Sequence, residues 1–262
     1  MEIRAVDHKS FREDLEGAIN SVIQRVVGDN LYNWDEDYIT QELLREYRQR
    51  FQNIEIRETS KKTTRISSNA YKLRKKLRAE QKFGDVALIV RIQYSDQLNI
   101  EGVAFLEAKK RNHEKTRLFD AIKEEQLNRI YKNAPHACLL LYDHESIHNH
   151  AEYKLQSHRV KSSGSLHAVT LPINIAISSK LKDTRLYRFS HPLSHQILTR
   201  YFCGLDLDFQ QEALDIAKGY NRNAGSPQFL FVVSVVPGHS GQDDINQFFE
   251  QRVYNDEFFG EI

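Results

Sequence analysis

Residues 83–111, FGDVALIVRIQYSDQLNIEGVAFLEAKKR, contain two long apolar runs that carry charge at matching ends. The first run starts beside Asp85, and the second ends in Glu107 and Lys109. Both runs are typical of buried strands, and the polar residues between them predict a β-hairpin. Because side chains alternate between the faces of a strand, Glu107 and Lys109 share one face. A hairpin can bring Asp85 near them, but the spacing alone leaves the register open.

The bulk composition predicts one soluble α/β domain over residues 1–262. The chain is 40% hydrophobic and 28% charged, which is enough to bury a sizeable core. No apolar run approaches the roughly 20 residues that span a bilayer, and the first residues lack the apolar centre of a signal peptide. We therefore expect a cytoplasmic protein with no membrane contact.

Hydrophobic spacing predicts the order of the remaining elements. We expect helices over 10–27, 35–51 and 114–133, a short strand over 53–59, and a strand buried on both faces over 137–143. Residues 36–143 thus have the order helix, three strands, helix and strand, which we interpret as the core of the domain.

Residues 146–262 are predicted to form a C-terminal α/β elaboration of that core. We expect strands over 166–177 and 229–236, and helices over 193–202, 211–218 and 243–254. The apolar run at 229–236 should join the same core. The acidic, aromatic end of the chain either caps its own core or docks on a partner.

Basic charge is concentrated in residues 61–82. This segment holds nine Lys or Arg and one acid, although the net charge of the whole chain is only +1. Such a run either forms a solvated face or binds the phosphates of a polyanion, because each neutralised phosphate releases counterions.

At GDVALIV, with Asp85, and FLEAKK, with Glu107, Ala108 and Lys109, the chain resembles the PD-(D/E)xK nuclease superfamily. That superfamily includes restriction enzymes and phage-defence nucleases, and the resemblance covers residues 36–143. It implies a restriction-endonuclease-like core, a mixed sheet flanked by helices. It also implies that Asp85, Glu107 and the carbonyl of Ala108 bind Mg²⁺, with Mn²⁺ as the alternative, and that Lys109 assists the attacking water. Gly84 stands where a proline is frequent.

Two helices offer further candidate residues. Gln126 lies inside the apolar stripe of its helix, so it either bonds to backbone in the core or faces the metal site and orients the carboxylates. The resemblance also implies a glutamate from the first core helix, and both Glu42 and Glu46 match that description.

We therefore expect a magnesium-dependent nuclease that acts on DNA in a restriction or anti-phage defence system. The expected phosphate contacts are Lys72, Arg74, Lys75, Lys76, Arg78, Lys110 and Arg111. An RNA-cleaving enzyme and a non-catalytic nucleic-acid-binding subunit with the same fold are the alternatives. We also expect a protein partner that supplies targeting or control, and the sequence leaves a homo-oligomer open.

Overall fold

The structure of the protein is a computed structural model, and it contains one mixed β-sheet. The structure describes residues 4–29, 34–59, 62–74, 80–95, 97–114, 117–119, 121–147, 165–221, 226–238, 248–249, 251 and 253–262. The strands are β1 (Arg4–Asp7), β2 (Ile54–Thr59), β3 (Lys62–Leu73), β4 (Val86–Ser95), β5 (Leu98–Lys110), β6 (Cys138–Tyr142), β7 (Ala168–Pro172), β8 (His191–Pro192), β9 (Phe229–Pro237) and β10 (Phe259–Glu261). Their order is β1-β2-β3-β9-β4-β5-β6-β7-β8, and β10 pairs with β3.

Helices cover both faces of this sheet. They are α1 (His8–Asp29), α2 (Glu36–Arg50), α3 (Glu80–Phe83), α4 (Glu124–Asn133), α5 (Ile173–Ser179), α6 (Leu193–His195) and α7 (Gln211–Ala217). A 3₁₀ helix spans Thr184–Phe189, and α6 continues through a π turn (Gln196–Arg200) into a 3₁₀ turn (Tyr201–Cys203). The predicted α/β class and mixed sheet flanked by helices are confirmed. Within the described ranges, no helix combines the length and the apolar character needed to cross a bilayer.

The alternation of side chains in β4 and β5 divides the core into two layers. Even-numbered residues such as Leu88 and Leu106 pack in the layer that contains α1 and α2. Odd-numbered residues such as Ile89 and Phe105 pack in the layer that contains α4, α5 and α7. The two predicted strands are therefore buried on both faces, and the odd-numbered side chains at their charged ends project toward the α4 side.

Strand β9 shows that the C-terminal part of the chain belongs to the centre of the sheet. It lies between β3 and β4, antiparallel to the first and parallel to the second. Its residues are buried from Phe229 to Val236, as expected for a central strand. The prediction that 229–236 joins the core is confirmed, and the segment 36–143 alone lacks a strand in its middle.

The structure differs from the predicted elements in three places. The basic segment contains β3, a strand whose apolar positions are interrupted by Ser, Thr and Asn, so its periodicity was too weak to predict it. The helix predicted over 114–133 begins at Glu124, because residues 117–119 instead bond to residues 182–184. The strand predicted over 166–177 ends at Pro172, where α5 begins.

The described end of the chain packs on its own core. Phe259 is buried and pairs with Leu73 of β3, and the ring of Tyr254 lies 4.0 Å from that of Tyr71. Arg91 of β4 donates to the carbonyl of Phe248 at 3.0 Å. Phe248 and Phe249 are helical, whereas most of the helix predicted over 243–254 lies outside the described residues. Of the two alternatives for this end, the described residues adopt core capping.

We expect Phe259→Ala to lower the free energy of unfolding by about 3–5 kcal/mol, because it leaves a cavity where β10 closes on β3. Phe189→Ala is the matched control, since Phe189 is 51% exposed and should cost about 1 kcal/mol or less. Urea unfolding followed by circular dichroism measures both. Equal losses would show that the C-terminal strand does not contribute to the core.

Candidate active site

The hairpin brings Asp85 and Glu107 to the same end of the sheet. Strands β4 and β5 are antiparallel with Val86 opposite Leu106, and Asp85 directly precedes β4. The backbone of Asp85 is fixed on both sides: its N–H donates to the Leu106 carbonyl at 2.9 Å, and its carbonyl accepts from the Phe229 N–H at 2.9 Å. Asp85 Oδ2 accepts from the N–H of Ala108, the residue after Glu107, so the two carboxylates lie at one site.

Gly84 allows the chain to enter β4 in this position. Its φ is +88°, and a Cβ atom there would lie 2.7 Å from the carbonyl oxygen of Leu106. Both the left-handed backbone and the close approach to β5 require glycine. A proline, whose φ is fixed at about −65°, cannot adopt this conformation.

Glu107 is the centre of a buried polar cluster. Its side chain is fully buried, and its Oε1 accepts from Lys109 Nζ at 2.5 Å and from Gln126 Nε2 at 2.6 Å. Asp85 lies beside this cluster, and its Oδ2 accepts from the N–H of Ala108 at 2.8 Å. The structure thus brings together the predicted residues of the hairpin and of α4. Gln126 contacts a carboxylate, as one of its two interpretations requires.

Glu36 is a member of the cluster that the sequence did not single out. It is the first residue of α2, and its Oε2 lies 3.7 Å from Lys109 Nζ. Its Oε1 accepts from the Lys110 N–H at 3.1 Å. The sequence DED at the start of this helix was a usable indication, but acidic residues there also complement the helix dipole and so were not singled out.

The two glutamates predicted for this role lie in a different network. Glu42 binds Arg25 at 2.8 Å and also Arg45, and Glu46 lies 3.6 Å from Arg25 and 3.5 Å from Arg50. The pairs with Arg25 join α2 to α1, and the pairs with Arg45 and Arg50 lie within α2. The structure places neither glutamate with Asp85, because α2 directs its N-terminal end rather than its middle toward the end of β5.

Trp34 holds the start of α2 against the end of β5. Its indole N–H donates to the carbonyl of Arg111 at 2.7 Å, and Lys110 Nζ donates to the carbonyl of Trp34. The Trp34 side chain is buried. This double attachment keeps Glu36, two residues further along, beside Lys109.

Negative charge dominates the cluster. Burial and the nearby charge of Glu107 raise the pKa of Asp85 well above its ordinary value, and Lys109 offsets only part of this. Burial alone would lower the pKa of Lys109, but the charges of Glu107, Glu36 and Asp85 outweigh it and raise the pKa above the ordinary value. The ammonium therefore stays charged at neutral pH. Three carboxylates act on this one ammonium, so carboxylates outnumber cations in the cluster.

The donor atoms fit a magnesium ion better than a zinc ion. Among the described residues, no three His, Cys, Asp or Glu side chains group closely enough to hold a metal. Zinc sites need three or four such ligands, whereas Mg²⁺ is commonly bound by one or two carboxylates together with waters and substrate phosphates. Asp85 and Glu107, with the Ala108 carbonyl, form a partial set of this second kind. Burial and the charge of Glu107 raise the pKa of Asp85, and a bound cation would offset both effects.

Five residues of the basic segment were predicted to contact phosphate, and the structure describes two of them, Lys72 and Arg74. Lys72 Nζ donates to Gln41 Oε1 at 2.7 Å and lies 5.3 Å from the centre of the Phe229 ring. The side chain of Arg74 packs against Gly260 of β10. Lys75, Lys76 and Arg78 lie outside the described residues.

Arg111 is buried, contrary to the prediction that it lines a phosphate groove. It is 2% exposed, and its guanidinium lies 3.2 Å from Asp143 and 2.8 Å from Glu145. A buried carboxylate at the end of β6 explains its position, because an unpaired buried charge is costly. Lys110, the other predicted contact on β5, donates to the carbonyl of Trp34.

Comparisons of the chain with protein-family models, with curated proteins and with solved structures give no match. The geometry and chemistry of these side chains are therefore the basis for a proposed function. The group that matters consists of Asp85, Glu107, Lys109, Gln126 and Glu36, which we call the carboxylate cluster.

We expect Gly84→Ala to destabilise the protein by at least about 3 kcal/mol, because the added methyl group meets the β5 backbone as well as an unfavourable φ. Gly238→Ala is the matched control. Gly238 has φ +89°, but a Cβ there meets nothing within 4 Å, so the cost should be the backbone strain of about 1–2 kcal/mol. Equal costs, measured by denaturant unfolding, would contradict the close approach of Gly84 to Leu106.

We expect Asp85→Asn to be more stable than the parent protein at pH 8 in a chelating buffer. A carboxyl group whose folded pKa is raised contributes stability at low pH, and this is lost as the pH rises from the ordinary value of 3.8 through the folded pKa. Asparagine keeps an acceptor for the Ala108 N–H without that penalty. The gain should therefore shrink toward pH 4. A pH-independent difference, or an equal gain for exposed Glu13→Gln, would contradict the repulsion in the cluster.

Proposed function

We propose that the protein is a metal-dependent nuclease that hydrolyses phosphodiester bonds in DNA. The observation that carries the proposal is the bond of Asp85 Oδ2 to the Ala108 N–H beside Glu107, with Lys109 and Gln126 on the same oxygen of Glu107. Two carboxylates, an ammonium and an amide, at the partly exposed end of a sheet, suit the cleavage of a charged phosphodiester better than a purely structural role.

The order of elements around the cluster supports a restriction-endonuclease-like core. Helix α2 is followed by β2, β3, the short helix α3, the β4–β5 hairpin, α4 and β6. Without β3 and α3 this is the order helix, three strands, helix and strand. Strands β3 and β9 are additions, and they lie between β2 and β4. We therefore propose that the chain carries the PD-(D/E)xK core with an enlarged central sheet.

The side chains of the cluster have separable roles in this proposal. Asp85, Glu107 and the Ala108 carbonyl hold the metal, which supplies Lewis-acid neutralisation of charge on a phosphate group. Lys109 stays positively charged and offsets the negative charge that develops on the phosphate in the transition state. Gln126 orients Glu107, and Glu36 orients the Lys109 ammonium.

We further propose that a protein partner supplies targeting or control, as in restriction or anti-phage defence systems in the cytoplasm. An unrestrained nuclease would attack the DNA of its own host. Because Phe259 is buried in the core of the same chain, its side chain is not part of the partner surface that we propose.

We expect Asp85→Asn and Glu107→Gln each to reduce cleavage by about a thousandfold, or about 4 kcal/mol of transition-state stabilisation. The assay uses plasmid, linear duplex, single-stranded DNA and RNA with Mg²⁺, Mn²⁺ or a chelator. Glu13→Gln, on the exposed surface of α1, should cut like the parent protein. Binding without cleavage under every metal condition would favour the non-catalytic subunit, and cleavage of RNA alone would replace DNA as the substrate.

Two variants at Lys109 distinguish a loss of cleavage from a loss of stability. Lys109→Met leaves Glu107 as a buried charge without its ion pair, which should cost about 3–5 kcal/mol of stability. The double variant Glu107→Gln/Lys109→Met removes both charges, so its stability should recover while its cleavage stays lost. Recovery of cleavage together with stability would assign the pair a structural role only.

A further inference from the structure

A second basic surface lies in the C-terminal part of the chain, outside the segment 61–82. It consists of the exposed residues Arg117, Lys180, Lys182, Arg185 and Arg188, which we call the basic ridge. Four of the five lie within residues 180–189, KLKDTRLYRF, which contain a single acid. The ridge follows the 3₁₀ helix Thr184–Phe189 and the chain on its N-terminal side.

Most of this charge is available to a ligand. The single acid, Asp183, is taken up by Arg185, whose guanidinium donates to both of its carboxylate oxygens at 2.7–3.0 Å. In the part of the chain that the structure describes, Lys180, Lys182 and Arg188 form no salt bridge. The ridge therefore presents a net positive surface to solvent.

The backbone ties the ridge to the loop that follows β5. The Phe119 N–H donates to the Lys182 carbonyl at 2.8 Å, and the Thr184 N–H donates to the Arg117 carbonyl at 3.0 Å. This loop begins directly after the strand that carries Glu107 and Lys109.

A buried chain of polar contacts makes a second connection. The Tyr187 hydroxyl of the 3₁₀ helix donates to Asp143 at 2.6 Å, and Asp143 lies 3.2 Å from Arg111. Arg111 is two residues after Lys109. The ridge is thus anchored at the same end of β5 as the carboxylate cluster. Two apolar side chains beside the ridge are exposed, Phe189 by 51% and Leu118 by 40%.

We propose that the basic ridge docks the phosphodiester backbone of a nucleic acid whose neighbouring segment reaches the carboxylate cluster. Clustered cations with few acids complement a polyanion, and their binding releases condensed counterions. Phe189 offers a face on which an unpaired base can stack. This inference deepens the proposed nuclease function, on which it rests for the choice of polyanion. It assigns a role to residues 180–189, which lie outside the segment 36–143 that the superfamily resemblance covers.

The test measures binding of a fluorescent duplex by anisotropy at several salt concentrations, in chelator and in a Glu107→Gln background so that no cleavage occurs. Lys182→Gln/Arg188→Gln should weaken binding roughly tenfold and reduce the salt slope by about 0.9 for each lost phosphate contact. Lys9→Gln/Arg57→Gln is the control. It removes the same charge from exposed side chains at the β1–β2 end of the sheet, and it should leave the slope unchanged.

Equal affinity and slope in the ridge and control variants would overturn the proposal. Ridge-dependent binding to vesicles of phosphatidylserine and phosphatidylcholine, with no ridge-dependent binding to DNA, would overturn it in favour of a membrane surface. If binding depends on the ridge but the parent protein cleaves no nucleic acid with any metal, the ridge stands as a nucleic-acid surface and the proposed nuclease activity fails.

Discussion

The backbone of Asp85 is hydrogen-bonded to two different strands, and the candidate site depends on this constraint. One bond goes to Leu106 in the hairpin partner, and the other comes from Phe229, far away in sequence. Gly84 makes the approach possible because no side chain separates it from β5. The carboxylate cluster is therefore a product of the complete sheet, and the C-terminal part of the chain helps to fix it through β9.

The buried charges of the cluster lower the stability of the fold, and a role in a reaction explains best why they are there. Glu107 is fully buried and Lys109 nearly so, and moving such a pair out of water is often less favourable than packing apolar side chains. Asp85 adds a further buried carboxyl group, and its burial and the charge of Glu107 raise its pKa. Proteins tolerate local conflicts of this kind mainly where a site needs them. The hydrogen bond from Gln126 and the brace at Trp34 reduce the cost by holding the charges in one arrangement.

Local patterns were enough to predict part of this site. The alternation of side chains placed Glu107 and Lys109 on one face, and the apolar stripe of the following helix singled out Gln126. Long-range pairing was not predictable in the same way. Glu36 belongs to the cluster because α2 meets the end of β5. Strand β9 lies between β3 and β4 in the sheet, although it comes long after both of them in the sequence. Arg111 shows a third limit, since its charge suggested phosphate binding while a buried carboxylate at the end of β6 decides its position.

Anomalous scattering from a crystal soaked in Mn²⁺ tests the central claim most directly, because it locates the metal without depending on the choice of nucleic-acid substrate. The account predicts an anomalous peak within bonding distance of both Asp85 and Glu107, and no peak there in crystals of the Glu107→Gln variant soaked in the same way. A well-ordered cluster without a peak at high Mn²⁺, or a peak that persists unchanged in the variant, would contradict the assignment of these carboxylates to a metal.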